Sequence, residues 1–126
     1  MSEEALAFLK ELLQSMGIPY EFGRWSSGYP PEGYYLVGDY IEHDSPTLEE
    51  DGHQEYTFIL RGYTRGERLL LQQAKTKIKK HIAKTAILPN GNGIAIFYGT
   101  GNRVPTGDGA VKSIKINLSV QEWSVN

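Results

Sequence analysis

Residues 113–120 read Ser-Ile-Lys-Ile-Asn-Leu-Ser-Val, with Ile114, Ile116, Leu118 and Val120 on one parity and Ser113, Lys115, Asn117 and Ser119 on the other. Side chains along a strand point alternately to opposite faces, so this pattern predicts an antiparallel strand with one buried and one wet face. Such a sheet needs something apolar laid over its buried face, and two amphipathic segments in this chain can supply it.

The first is the N-terminal segment. Ser2 is placed to cap a helix, Glu3 and Glu4 sit where the helix dipole favours anions, and Gly17 supplies a stop. Leu6, Leu9, Leu13 and Met16, with Leu12 alongside, form its apolar stripe. The second segment opens on Thr64-Arg65-Gly66-Glu67, which has the pattern of a capping box, and a helix of about five turns is expected from it. Its stripe is Leu70, Leu71, Ala74, Ile78 and Ile82, and lysines occupy much of the remainder. Strands are predicted over 20–25, 34–41 and 55–63, the second and third pairing as a hairpin, then over 85–88 and 94–98 around the turn Pro89-Asn90-Gly91-Asn92-Gly93. The expected order is αβββαβββ. It describes an α+β fold in which a mostly antiparallel sheet is packed by two helices on one face, with long flexible loops.

Length and composition narrow the reading. At 126 residues, with 40% hydrophobic and 22% charged, the chain is expected to be one globular domain spanning 1–126. A net charge of -2 argues against wholesale binding to nucleic acid or to an anionic membrane. There is no cysteine, hence no disulfide framework or thiol nucleophile. The first residues carry acids where a signal peptide carries bases, and no apolar run approaches the roughly 18 residues of a membrane span. A soluble protein assembled inside the cell is expected.

The glycine-rich stretch GTGNRVPTGDGA, residues 99–110, has the composition of a phosphate-binding loop. A phosphate cradle requires such a loop to lead into a helix N-terminus, whereas this one leads into the alternating strand and lacks a Gly-Lys-Ser/Thr element. It reads instead as a long flexible hairpin loop, expected to be ordered only in an assembly. His43 and His53 flank Asp44, Glu49, Glu50 and Asp51, but no metal-ligand spacing occurs, and a solvated acidic loop is the simpler reading. Paired carboxylates such as Glu49 and Glu50 lack an accompanying nucleophile or pocket, so neither catalysis nor a cofactor is expected. The sequon Asn117-Leu118-Ser119 falls inside a predicted strand and is read as chance.

Charge is segregated along the chain. Residues 39–55 hold seven acids and no lysine or arginine, and residues 61–84 hold eight bases against one acid. Opposite poles on one subunit suit head-to-tail association with copies of itself, which closes into a ring when the rotation allows. The alternative is two solvated faces of a monomer. Nucleic-acid contact through the basic helix ranks below both, because no aromatic platform accompanies it.

The segments YTFILRGYTRGERLLLQQAKTKIKKHI, GIPYEFGRW and PPEGYYLVGDY together resemble small tail-completion proteins of long-tailed bacteriophages and prophages, also called tail terminators or tail-to-head joining proteins. The resemblance covers roughly residues 5 to 85 and lies in the order of elements. It implies a structural role without catalytic residues: a ring, commonly of six subunits, that seats on the last ring of the tail tube, stops its elongation and offers a surface to the head connector. The implied partners are other copies of the chain, the major tail tube protein and head-tail connector proteins, with nucleic acid only as DNA passing through the lumen. The implied location is the head-tail interface of the virion, reached from the host cytoplasm, and the free subunit can be monomeric. Glu49, Glu50, Asp51, Arg65, Arg68, Lys75, Lys79 and Lys80 are then candidate subunit contacts, and Asn90, Asn92, Asn102, Arg103 and Asp108 candidate tube or connector contacts. A head-side connector or minor capsid protein is the nearest alternative. A small-molecule-binding domain using Tyr34, Tyr56 and Trp25 on the open face of the sheet is the alternative from another class.

Overall fold

The computed structural model describes residues 1–26, 28, 31–43 and 53–124. Its elements are α1 (Glu3–Ser15), β1 (Tyr20–Phe22), β2 (Tyr34–His43), β3 (His53–Thr64), α2 (Leu69–His81), β4 (Lys84–Ile87), β5 (Gly93–Val104) and β6 (Lys112–Trp123). The predicted αβββαβββ order is therefore present. The strands form one six-stranded sheet in the order β1-β2-β3-β6-β5-β4. Every pairing is antiparallel except β1 with β2. β1 and β2 run the same way, with the Leu36 amide donating to the Pro19 carbonyl at 2.9 Å and the Gly23 amide to the Gly38 carbonyl at 2.8 Å.

Even-numbered positions of β2, β3 and β6 point to one side. Leu36, Phe58, Leu60, Ile114, Ile116, Leu118 and Val120 are buried there against Ala5, Leu9 and Leu13 of α1 and Leu71, Ala74 and Ile78 of α2. The alternation seen at 113–120 thus marks the strand beside the middle of the sheet, and both helices share its covered side. Ser2 Oγ accepts the Ala5 amide at 3.1 Å. At the other end of α1, Gly17 takes φ 75°, the left-handed conformation expected of a C-terminal glycine stop.

Most strand ends move by one to three residues from the sequence reading, and three differences change the architecture. The capping box does not form: Thr64 remains in β3, paired with Lys112. Its hydroxyl donates to the Gly33 carbonyl and accepts the Gly66 amide. Twelve residues of continuous pairing with β6 outweigh one local cap, so α2 starts only at Leu69, after Arg68, which makes no side-chain cap bond. At 13 residues the helix is shorter than expected. The first strand stops at Phe22, because Gly23 turns at φ 82° and donates its amide to the Gly38 carbonyl at 2.8 Å. The expected long loop at 99–110 is half strand: β5 runs on to Val104, with a register shift at Gly99 between Tyr98 and Thr100. A compact turn follows, in which Thr106 Oγ1 donates to the carbonyls of Asp108 and Val111 and Asp108 Oδ1 accepts the Ala110 amide at 2.9 Å.

Candidate assembly interface

The sequence points to charge as the functional signal, and the fold decides where that charge lies. Glu49, Glu50 and Asp51 fall outside the described residues. From the same acidic stretch, Asp39 and Glu42 are exposed on β2, whose outer flank, among the described residues, pairs with β1 alone. Of the bases of α2, Lys75 and Lys79 reach the β5 side of the sheet, whereas Lys77 Nζ donates to the Met16 carbonyl at the end of α1 at 3.1 Å. Lys75 Nζ donates to the Gly101 carbonyl of β5 at 3.0 Å, and Lys79 Nζ sits 5.6 Å from the Tyr98 ring centroid. Lys80 and Arg65 are exposed, and Arg68 Nη1 reaches the Ser113 carbonyl at 3.5 Å. Arg103 is exposed on β5, with Asn102 beside it. Asp39 and Glu42 thus lie on β2, and Arg103 with Lys75 and Lys79 of α2 lies along β5; between them the central strands carry Arg61 opposite Lys115.

The remaining candidates separate by role. Asn90 accepts the Asn92 amide and donates to Glu4 of α1 at 3.3 Å. Asn92 donates to Glu122 Oε2 at 3.0 Å, and the other oxygen of Glu122 accepts the Ser2 amide at 3.3 Å. Both asparagines thus hold the β4–β5 turn against α1 and β6, and Asp108 closes the β5–β6 turn. Asn102 and Arg103 are the members of that set on an exposed strand.

What sequence reasoning missed is that both flanks of the sheet are only partly covered. The three residues of β1 border Leu36, Val37 and Gly38, and the four of β4 border Gly93–Ile96. Among the described residues no strand pairs with the outer flank of residues 39–43 or of 97–104. The glycine at 99 was the available signal, since a glycine directly after a run of strand formers can mark a bulge inside a longer strand.

The aromatic alternative is relocated. Tyr56 is buried on the helix side, edge-on to Tyr40 at 5.6 Å, and its hydroxyl is pushed up to about 12 by burial and by the nearby charges of Glu122, Glu42 and Tyr40. Tyr34 shares that parity, and burial raises its hydroxyl as well. The open face instead carries Trp25, Tyr35 and Tyr63, each ring 5.5 Å from the next. Beside them lies a cleft of about 590 Å³ lined by Glu32, Tyr35, Tyr63, Arg65 and Val111. It offers stacking and one charge of each sign; a nucleophile held by a neighbouring base is not found among its described residues. Nor, among the described residues, do three His, Asp or Glu groups converge as metal ligands.

A scan against protein-family models finds no match, and a search of curated proteins finds none either.

Proposed function

We propose that this chain is a tail-completion protein of a long-tailed phage or prophage, which acts by binding: copies form a ring that caps the tail tube, halts its growth and presents the face to which the head joins. The observation that carries the reading is the placement of Asp39 and Glu42 on β2 and of Lys75, Lys79 and Arg103 along β5, on opposite flanks of the same sheet. A subunit with opposite charge on opposite flanks favours the next copy in head-to-tail orientation and disfavours like flanks meeting, which is the arrangement a ring needs. The order of elements shared with that family adds to it. The proposed partners are further copies of the chain, the tail tube and the head connector, and the proposed location is the head-tail joint of the virion.

The test is deletion of the gene from the phage or prophage that carries it, with the particles viewed by electron microscopy. Filled heads separate from overlong or ragged tails are expected, and restored joining when the chain is supplied in trans. Joined particles with tails of ordinary length in the deletion would refute the reading, while normal tails beside unjoined heads would move it to the head-side connector.

A further inference from the structure

The two flanks that no strand covers among the described residues match each other in backbone as well as in charge. In β2, Leu36 N–H donates to the Pro19 carbonyl and the Gly38 carbonyl accepts from Gly23, so even residues turn their backbone groups away from β3. By the same alternation Tyr40 and Glu42 turn theirs to the open flank. In β5 the outward set begins on even numbers, as the bond from Leu88 N–H to the Asn92 carbonyl shows, and the register shift at Gly99 moves it to Gly101 and Arg103. Each outward set is part-occupied by one charged side chain: Asp39 Oδ1 accepts the Tyr40 amide at 2.8 Å, and Lys75 Nζ covers the Gly101 carbonyl. An acid thus guards an amide on one flank and a base guards a carbonyl on the other. Charged groups laid on an exposed strand are a way of keeping it from pairing at random.

We propose that neighbouring subunits join by β-strand addition, with residues 39–43 of one copy pairing antiparallel with residues 100–104 of the next. The inference rests on the ring-forming reading and names the joint within it. Direction follows from the topology, since three successive antiparallel pairings make β2 antiparallel to β5, and a copy related by rotation presents it so. Register follows from the outward sets and from the short flanking strands. β1 blocks β2 below residue 39 and β4 blocks β5 before residue 97, so the copies slide by about four residues, about 13 Å at ~3.3 Å per residue. Glu42 then meets Gly101, Tyr40 meets Arg103 and Ile41 meets Asn102. In that register the Glu42 carboxylate lies beside the Lys75 that covers Gly101, so the two charged flanks neutralise one another as the backbone groups pair.

The absence of cysteine makes the joint directly testable. In the doubly substituted chain Ile41→Cys, Asn102→Cys the two positions in one copy lie about 19 Å apart, three strand spacings of ~4.8 Å across the sheet and about four residues of ~3.3 Å along it, beyond the reach of a disulfide. Oxidation of capped tails or of concentrated protein carrying both substitutions should give a ladder of covalent oligomers on a non-reducing gel, and either substitution alone should not. Glu42→Pro removes an amide that makes no bond to β3, so the subunit should fold with an unchanged far-ultraviolet spectrum yet fail to give rings or the ladder. Glu42→Lys should weaken ring formation at least tenfold, and Lys75→Glu in the same chain should recover it. Rings or capped tails formed by Glu42→Pro, or their oxidation without a ladder, would overturn the joint and leave the tail-completion reading standing. Normal particles in the deletion strain together with a full ladder would sink that reading and leave the joint. A ladder to the tube protein in place of the chain itself would reassign the flank and overturn the proposal.

Discussion

Tyr20 gives a sharp test of the packing on which β1 depends. It opens β1 and is buried, with its ring 6.4 Å from that of Phe58. The space it fills exists because residue 38 is glycine: a Cβ there would come within 2.7 Å of both the Tyr20 hydroxyl and Cε1. Among the described residues that hydroxyl has no hydrogen-bond partner. A buried, unsatisfied polar group costs about 1–3 kcal/mol, whereas the void left by one oxygen costs much less. Tyr20→Phe should therefore stabilise the protein by about 1 kcal/mol at neutral pH. The same burial raises the phenol above its ordinary 10.0, since the phenolate would lose its hydration. A group whose folded value is raised contributes stability that is complete below the unfolded value and is lost as pH climbs toward the folded one. Wild-type stability should thus decline above about pH 10, and Tyr20→Phe should flatten part of the decline. Tyr56, pushed up from 10.0 to about 12, keeps its own share of the decline. Urea unfolding followed by tryptophan fluorescence at about pH 7, 10 and 11.5 measures both effects. A variant less stable than wild type by 1 kcal/mol or more at pH 7, or one with an undiminished alkaline slope, would refute the reasoning.

Two further substitutions probe the end of the sheet where β5 begins. Glu122→Ala deprives the Ser2 and Asn92 donors of their carboxylate, and a loss of about 1–3 kcal/mol in urea denaturation is expected; a change under about 0.5 kcal/mol would show that neither bond matters. Gly93→Ala places a Cβ within 2.2 Å of the Trp123 ring, so a loss of about 1–3 kcal/mol is expected, largely relieved by adding Trp123→Leu; equal stabilities would show that the ring moves aside freely.

Periodicity made the layers legible. The alternating run at 113–120 and the stripes of the two helices place the covered face without reference to any partner, because each pattern reports its own burial. The hairpin of β2 with β3 was legible too, through its aromatic and β-branched runs. Where the reading failed, a local signal met a longer-range one. Thr64-Arg65-Gly66-Glu67 is sound cap chemistry, yet Thr64 is more useful bridging Gly33 and Gly66 at the end of a long strand pair. Tyr34 and Tyr35 differ by one position, and that position sends Tyr34 under the helices and Tyr35 onto the aromatic row with Trp25 and Tyr63.

The candidate interface was half legible for the same reason. Acid and base segments can be counted along the chain, but whether they face one another across an interface depends on strand order. The chain order β2, β3, β4, β5, β6 becomes β2-β3-β6-β5-β4 in space because β6 inserts between β3 and β5. In that order β5, with the Lys75 and Lys79 that reach it from α2, stands on the flank opposite β2. The uncovered flanks are subtler still, since they arise from a mismatch of lengths: three residues of β1 against ten of β2, and four of β4 against twelve of β5. No residue type encodes a strand that stops short of its neighbour's end. Gly99 comes nearest, because the bulge that it allows keeps β5 in register with β6 past the point where β4 has ended, and so leaves Gly101 and Arg103 facing outward.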